Sequence, residues 1–313
     1  MRAAVFSCLG LGDGLISLVL SNNLAKHGWE VETFHPSFLS FQDWFPHLPL
    51  AVFPSQEKMD EVLSRFDRFF LFYEKSEWMF RVLRYCQEKH PDKLSVLNPI
   101  PTFRCDYPYW EVGKFNGRLP FVQNLVNYCR DSLHIAGATS SNGITLPPYV
   151  LPRRFPKRVV IHPTSSRKSR NWLWTRYSVL AERLEEEGFE PWFVMSDADK
   201  ACLPSCRSPN TKTLSELAHF VAESGGMIGN DSGVGHLASC LGLPVVTLYR
   251  DERTAHFWRP GWSPTVPLTP WHGIPNIKFL RLRDKYWQYC ITVGRVQDAF
   301  LELYQNTVPI LPR

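Results

Sequence analysis

The residues with the clearest chemical potential lie together in Asp231-Ser232-Gly233, followed within one helical turn by His236. An apolar run precedes this stretch, helix-like apolar spacing follows it, and a second apolar run begins at Val245. This order predicts a strand, a polar turn, a helix and a strand. The first N–H groups of a helix lack intrahelical acceptors and carry partial positive charge, so the turn is predicted to bind phosphate. The alternative is an ordinary turn of an α/β domain.

A second polar stretch, residues 163–172, carries the cations that such a ligand needs, and it contains no acidic residue. It follows a predicted strand at 158–162. Loops that leave the carboxyl ends of parallel strands converge on one crevice in a doubly wound sheet. The two stretches are therefore predicted to meet and to bind a diphosphate, the alternative being a solvated basic loop. The polar side chains are the hydroxyls of Ser165 and Ser166 and the cations of Lys168 and Arg170.

Asp13 is the third candidate for a functional group. It lies in a turn with Gly10, Gly12 and Gly14, between a predicted strand at 3–8 and a predicted amphipathic helix at 15–27. These glycines do not match the dinucleotide-binding fingerprint, and the next strand ends without an acid for a ribose, which disfavours a nicotinamide site. Asp13 either caps the helix or acts as a general base at the carboxyl edge of the sheet. The residues alone leave both interpretations open.

The elements that must position these residues form two similar halves. A length of 313 residues predicts two domains. The first is predicted over residues 1–150, closing in a linker rich in glycine, serine and proline (137–156), and the second over 151–313. Each half is predicted to be a Rossmann-like, doubly wound α/β domain. A loop at 98–119, a strand at 277–280 and a terminal helix at 293–304, able to pack on either domain, are also predicted.

Composition excludes several classes of protein. Hydrophobic residues make up 44% and charged residues 21% of the chain, as in globular domains, and no stretch approaches the length of a membrane span. The net charge is +5, yet residues 153–170 hold seven Lys and Arg and no acid. This clustering favours a small anion over nucleic acid. Eight cysteines without a CxxC pair predict thiols in a cytoplasmic protein and no metal site.

Together these motifs resemble the heptosyltransferase family (glycosyltransferase family 9, of the GT-B fold), which transfers heptose from ADP-heptose to lipopolysaccharide core. Leu11-Gly12-Asp13 resembles that family's Gly-Asp after the first strand, whose aspartate is its proposed catalytic base. Residues 162–172, with Tyr177, are similar to its donor loop. Residues 229–238 match its signature. The resemblance implies donor binding by Ser165, Ser166, Lys168, Arg170, Asp199, Asp231, Ser232, Gly233 and His236.

The resemblance implies two Rossmann-like domains facing a central cleft, with the acceptor on the first and the nucleotide-sugar donor on the second. It implies an inverting, metal-independent transfer without a cofactor, in which Asp13 deprotonates the acceptor hydroxyl. Asp231 is expected to cap the following helix or to accept loop N–H groups, and His236 to brace the loop or touch phosphate. The acceptor is a glycan or lipid-linked glycan, which is compatible with peripheral contact at the inner face of the cytoplasmic membrane.

The chain departs from the family at two positions, and other functions stay open. Arg170 stands where a lysine is usual, with Lys168 close enough to share its role, and Arg250 follows a strand where the family often has a glycine. One alternative is a non-catalytic nucleotide-sugar-binding protein, although such a protein has no need of Asp13. Another is a related enzyme with a protein or small-molecule acceptor. An epimerase is disfavoured because the expected additional carboxylates and histidines are not identifiable.

Overall fold

In the computed structural model, residues 1–98, 115–200, 206–271 and 282–307 are described. The chain forms two compact units, Met1–Asn116 with Phe121–Pro147, and Gly117–Pro120 with Pro148–Arg313. The sequence placed its boundary after residue 150, and the ligand assigned to each domain stays a prediction. The strand expected at 277–280 and most of the loop expected at 98–119 lie outside the described residues.

The first unit is built on a parallel sheet with strand order β3-β2-β1-β4-β5, covered by helices. Its central strands are continuous apolar runs, as is usual for parallel strands buried on both faces. The order changes direction between β1 and β4. The elements are β1 (Arg2–Phe6), α1 (Leu11–Lys26), β2 (Glu30–Phe34), β3 (Leu50–Ala51), α2 (Met59–Leu63), β4 (Arg68–Phe72), α3 (Glu77–Lys89), β5 (Leu94–Leu97) and α4 (Phe121–Asp131).

Helix α1 is buried along almost its whole circumference, so the amphipathic helix expected at 15–27 is wrong in character and in its start. Two buried asparagines of the helix are bonded to the chain that follows α4. The Asn23 amide donates to the Thr139 carbonyl, and its Oδ1 accepts the Thr139 N–H, both at 2.8 Å. Asn22 donates to the Ser141 carbonyl at 2.8 Å. Part of the expected linker is therefore bonded into the first unit.

The second unit is also built on a parallel sheet, with strand order β10-β9-β8-β6-β7, changing direction between β6 and β8. Helix α9 and strand β10 were not predicted from the sequence, whose residues 249–276 are rich in turn-forming types. The elements are β6 (Phe155–His162), α5 (Trp174–Glu186), β7 (Glu190–Phe193), α6 (Asp197–Lys200), α7 (Leu214–Ala222), β8 (Ser224–Asn230), α8 (Gly233–Cys240), β9 (Val245–Leu248), α9 (Glu252–Trp258), β10 (Thr265–Leu268), α10 (Leu282–Lys285), α11 (Trp287–Cys290) and α12 (Val293–Thr307).

The pairing of β6 with β8 depends on a glycine. A Cβ atom at Gly225 would lie 1.6 Å from the Pro156 carbonyl oxygen, so a side chain there would force the strands apart. The closing helix α12 packs on this unit: Phe300 is fully buried in its core, and the Tyr304 hydroxyl donates to the same Pro156 carbonyl at 2.9 Å. Among the described residues, no helix combines the length and apolarity needed to span a bilayer.

Candidate functional site

The carboxyl ends of β6 and β8 lie side by side, since His162 pairs with Gly229 across the two parallel strands. The order of the sheet changes direction between them. In open α/β sheets, ligands bind outside the carboxyl ends of the strands at such a switch point. The two stretches that the sequence singled out, 163–172 and 230–233, both leave the sheet at this edge.

The buried side chain of Asn230, at the end of β8, binds both ends of the polar loop. Its Oδ1 accepts the Trp172 N–H at 2.9 Å, and its Nδ2 donates to the Pro163 carbonyl at 2.5 Å. A buried amide with its oxygen and nitrogen satisfied in this way holds the loop in one geometry. No role was predicted for Asn230 from the sequence, although it lies inside the Gly-Asn-Asp-Ser-Gly motif.

Two buried indole rings hold the loop from the other side. The Trp172 Nε1 donates to the carbonyls of Gln288 and Ile291, at 2.9 and 3.1 Å. The Trp287 Nε1 donates to the Ser169 carbonyl at 3.1 Å. Both rings are 1% exposed. Because these bonds must break before the loop can move, Arg170 is carried on a preorganised segment.

An ion pair joins the two stretches. The Arg170 Nη1 lies 3.2 Å from the Asp231 Oδ2, with the Arg170 side chain 36% exposed and that of Asp231 11% exposed. Burial raises the pKa of the Asp231 carboxyl to about 6; Arg170 opposes this rise and Asp251 adds to it. Arg170 therefore keeps an exposed surface with which to reach a ligand while it is bonded to Asp231.

Helix α8 begins directly after this ion pair. Of the two roles expected for Asp231, capping this helix is wrong, because the N-cap residue is Ser232, whose side chain makes no capping hydrogen bond; acceptance of loop N–H groups stays a prediction. The Ser232 hydroxyl is buried and finds no hydrogen-bond partner within the described part of the chain. The first N–H groups of the helix carry partial positive charge, and its first turn, which opens with Gly233, contains no acid. An anion would satisfy these groups.

The other predicted ligand-binding groups of the polar loop differ in their exposure and in the hydrogen bonds that they already make. The Ser165 hydroxyl lies 2.7 Å from the Asn171 Oδ1 and 3.0 Å from the Arg167 carbonyl, so its proton is already used inside the loop. Ser166 and Lys168 are exposed to solvent. Of the two cations that the sequence left as alternatives, Arg170 is the one bonded across to the turn after β8.

His236 lies one turn into α8 and is 5% exposed. Burial lowers the pKa of its imidazole to about 4, so the ring is neutral at pH 7. The ring meets Trp262 edge-on, with 6.1 Å between centroids, and its buried Nδ1 has no hydrogen-bond partner among the residues described. A neutral imidazole can contact phosphate through an N–H group but not through charge.

Asp199 lies at the neighbouring strand end, in the short helix α6 after β7. Its Oδ2 accepts the Ser196 hydroxyl at 2.6 Å. Since β7 flanks β6 on the side away from β8, Asp199 and the Arg170–Asp231 pair lie on opposite sides of the β6 end.

The basic segment 153–170 does not act as one patch. Its first four cations, Arg153, Arg154, Lys157 and Arg158, lie at the amino end of β6 or before it. The Arg158 guanidinium packs over the rings of Phe155 and Phe220, at 4.0 and 4.5 Å. The cluster of seven cations that favoured a small anion in the sequence is therefore divided in the structure, because β6 separates its two parts by the length of the strand.

Asp13 belongs to the first turn of α1, since the helix begins at Leu11 and includes the buried Gly12. A Cβ atom at Gly10 would lie 2.8 Å from the Asp13 Oδ2, so the carboxylate folds back over this glycine. Burial raises the pKa of the neighbouring Cys8 thiol, and the charges of Asp13 and Glu74 raise it further. Burial lowers the pKa of the His35 imidazole to about 4.

A pocket of about 160 Å³ adjoins the ion pair at the ends of β8 and β9. The sequence assigned only two of its lining residues, Arg170 and Asp231, to the site. The signal that could have revealed the rest is the charged pair Arg250-Asp251, directly after a buried strand at the same sheet edge. The further lining residues are Arg167, Ser169, Leu248, Tyr249, Arg250, Asp251 and Thr254.

Three solved structures share this architecture. The glycosyl transferase family 9 from Veillonella parvula DSM 2008 matches with a TM-score of 0.71 and 15% identity, over 97% of this chain and 97% of that chain. E. coli ADP-heptose LPS heptosyltransferase II matches with a TM-score of 0.68 and 16% identity, over 98% and 99%. The iron-containing heptosyltransferase TibC, in complex with ADP-D-beta-D-heptose, matches with a TM-score of 0.58 and 13% identity, over 98% and 77%.

At these identities the likeness defines the fold, and the two parallel sheets are those of a GT-B protein, as the sequence predicted. Curated protein sequences give no match. Residues 134–268 match the model of glycosyltransferase family 9 (heptosyltransferase). The resemblance to the heptosyltransferase family is thus confirmed over the residues that this model matches. The matched residues contain the polar loop and the signature, whereas Asp13 lies outside them.

The described residues contain no cluster that could hold a metal ion. Within the described ranges, no three His, Cys, Asp or Glu side chains come close enough to hold a metal ion. The described cysteines are free thiols, three of them buried and three partly exposed. Metal independence stays a prediction, as does the absence of a cofactor.

Proposed function

We propose that the protein is an inverting glycosyltransferase that moves heptose from ADP-heptose to a hydroxyl group of a lipopolysaccharide-core or other glycan acceptor. The observation that carries this proposal is the meeting of a cation, a helix N-terminus and hydroxyl groups at the switch point between β6 and β8. The match to glycosyltransferase family 9 covers this region. Two of the structural neighbours carry ADP-heptose in their descriptions.

The second unit binds the donor in this proposal. The diphosphate lies against the N-terminus of α8, where it satisfies the Gly233 N–H and the Ser232 hydroxyl. Arg170, oriented by Asp231, binds the phosphate oxygens, and a guanidinium can do so in bidentate fashion. The flanking contacts come from Ser165, Ser166, Lys168 and His236 around the diphosphate and from Asp199 at the ribose.

Asp13 acts as the general base on the acceptor. Its carboxylate takes the proton of the acceptor hydroxyl while the hydroxyl oxygen attacks the anomeric carbon from the face opposite the diphosphate. The bond between that carbon and the phosphate oxygen breaks, and ADP leaves with the electron pair. The hydrogen bonds from the protein to the diphosphate become stronger as this negative charge develops. Preorganised groups lower a reaction barrier in this way.

The proposal is tested by thermal unfolding in the presence of ADP, ADP-heptose and a panel of other nucleoside diphosphates and nucleotide sugars. Binding to the folded state adds about 2.7 kcal/mol of stability at a hundredfold excess over the dissociation constant, which is easily measured. We expect a shift with ADP and ADP-heptose and ADP release in the presence of a lipopolysaccharide-core acceptor. The absence of any shift with every nucleotide would refute a donor site at this edge.

A further inference from the structure

Four neighbouring strands of the second unit end in groups able to bind successive parts of one elongated ligand. The strands β7, β6, β8 and β9 are adjacent and parallel in this order. Asp199 follows β7, the polar loop follows β6, Asp231 follows β8 and Arg250 follows β9. Neighbouring strands lie about 4.8 Å apart, so this edge extends over roughly 14 Å. A nucleotide sugar is also linear, with its diphosphate between the nucleoside and the sugar.

The pocket at the β9 end has the lining of a sugar site. Its side chains supply guanidinium donors, carboxylate acceptors and hydroxyl groups, with only Leu248 and Tyr249 as apolar members. A nucleobase requires extended flat apolar surfaces, whereas a polyol requires many donors and acceptors around a small volume. The pocket also shares Arg170 and Asp231 with the diphosphate site, so a group bound in it adjoins the diphosphate.

Asp251 and Arg250, which line the pocket just before α9, differ in how firmly they are held. The Asp251 Oδ1 accepts the Thr254 N–H at 2.8 Å, and its Oδ2 accepts the Thr254 hydroxyl at 3.0 Å. Both oxygens are therefore fixed in place, and each keeps a lone pair that can accept a further hydrogen bond. Arg250 is exposed, lies two residues after the end of β9 and lines the pocket.

Resting on the function proposed above, we infer that this pocket takes the sugar ring of the donor and that Arg250 is a specificity-determining residue for it. The nucleoside then lies toward Asp199, at the opposite end of the same sheet edge. The Arg250 guanidinium donates to hydroxyl oxygens of the sugar. Asp251 accepts sugar hydroxyl groups from its fixed position.

The test is calorimetric titration of the wild type, Arg250→Ala and the control Arg253→Ala with ADP and with ADP-heptose. Arg253 is an exposed arginine of α9 that does not line the pocket. Loss of a hydrogen bond from a charged donor weakens binding by about 10-fold or more. We expect Arg250→Ala to weaken the binding of ADP-heptose by about this factor and the binding of ADP by less than about 2-fold. Arg253→Ala should bind both ligands as the wild type does.

A second variant tests the same pocket through a different residue. Asp251→Asn keeps a side chain able to cap α9 but removes the negative charge, and it is expected to weaken ADP-heptose and leave ADP unchanged. Equal weakening of both ligands by Arg250→Ala would place the residue at the diphosphate and overturn the inference. Unchanged binding of both ligands in both variants would overturn it as well. Failure of the wild type to bind ADP would instead refute the proposed function, and this inference with it.

Discussion

Helix α1, after the first strand of the first unit, can be compared with helix α8, after the third strand of the second unit. Helix α1 and helix α8 both begin at the carboxyl edge of a parallel sheet, and neither has a side chain that caps it. The first turn of α1 carries Asp13, whereas the first turn of α8 contains no acid. The same element therefore has its positive end occupied by its own carboxylate in one unit and left for an external anion in the other.

The surroundings of the two helices reinforce this difference. Around α8 lie a cation, buried unpartnered polar atoms and a clamped loop, the arrangement that stabilises a multiply charged ligand. Near the start of α1, the charges of Asp13 and Glu74 both act on the buried Cys8 thiol, and the His35 imidazole is neutral at pH 7. One carboxylate suffices for moving a proton, whereas holding a diphosphate requires several donors. The comparison thus supports different roles for the two edges.

The largest effect is expected from Asp13→Asn. Removing the general base should lower the turnover number by roughly 10²- to 10⁴-fold, because proton transfer contributes about this factor. Affinity for ADP-heptose should stay within a few-fold, since the donor binds the other unit. Asp60→Asn is the control, because Asp60 is an exposed acid in the first turn of α2. A transfer rate within a few-fold of the wild type would show that Asp13 is not the base.

The next effect is expected from Arg170→Ala, measured as the dissociation constant for ADP. Loss of a charge-assisted contact should weaken ADP by roughly 10- to 100-fold, and Arg170→Lys should recover part of the loss. Lys168→Ala is the control, because the loss of this exposed cation should weaken ADP binding by less than about 3-fold. If Lys168→Ala weakened ADP more than Arg170→Ala does, the assignment of the two cations would be reversed.

The smallest effect concerns pH and the Asp231 carboxyl, whose pKa is raised to about 6. A bound diphosphate should raise this pKa further, so protonation and donor binding favour each other. Affinity for ADP-heptose should therefore increase as the pH falls from 7.5 to 5.5, by at most about 10-fold for one unit of additional pKa change. The imidazole of His236, with a pKa of about 4, does not titrate in this range.

Asp231→Asn provides the control for this pH dependence. The variant has no carboxyl to titrate, so its affinity for ADP-heptose should be nearly constant across the same range. ADP-heptose is the suitable ligand because it lacks a terminal phosphate monoester, whose second pKa is near 6. An affinity of the wild type that does not change with pH would show that Asp231 keeps its charge when the donor binds.

The sequence by itself determined the alternation of strands and helices and the positions of the groups with chemical potential. Apolar runs such as 245–248 identify buried strands directly, and the Asp231-Ser232-Gly233 turn identifies the start of α8, because both signals are local. The start of α1 was missed because glycines weaken helix propensity, and the cost is small in the first turn. Its buried asparagines could not be foreseen, since their partners lie more than a hundred residues away.

Only the tertiary structure decided which of these groups act together. Arg170 pairs with Asp231 because β6 and β8 are neighbours although they are separated in the chain by β7, and no local pattern specifies that order. The length of β6 keeps four of the seven clustered cations away from the site, and the strand order brings Arg250 beside it. Strand order depends on how distant segments bury their apolar surfaces together, which is why it appears only in the folded chain.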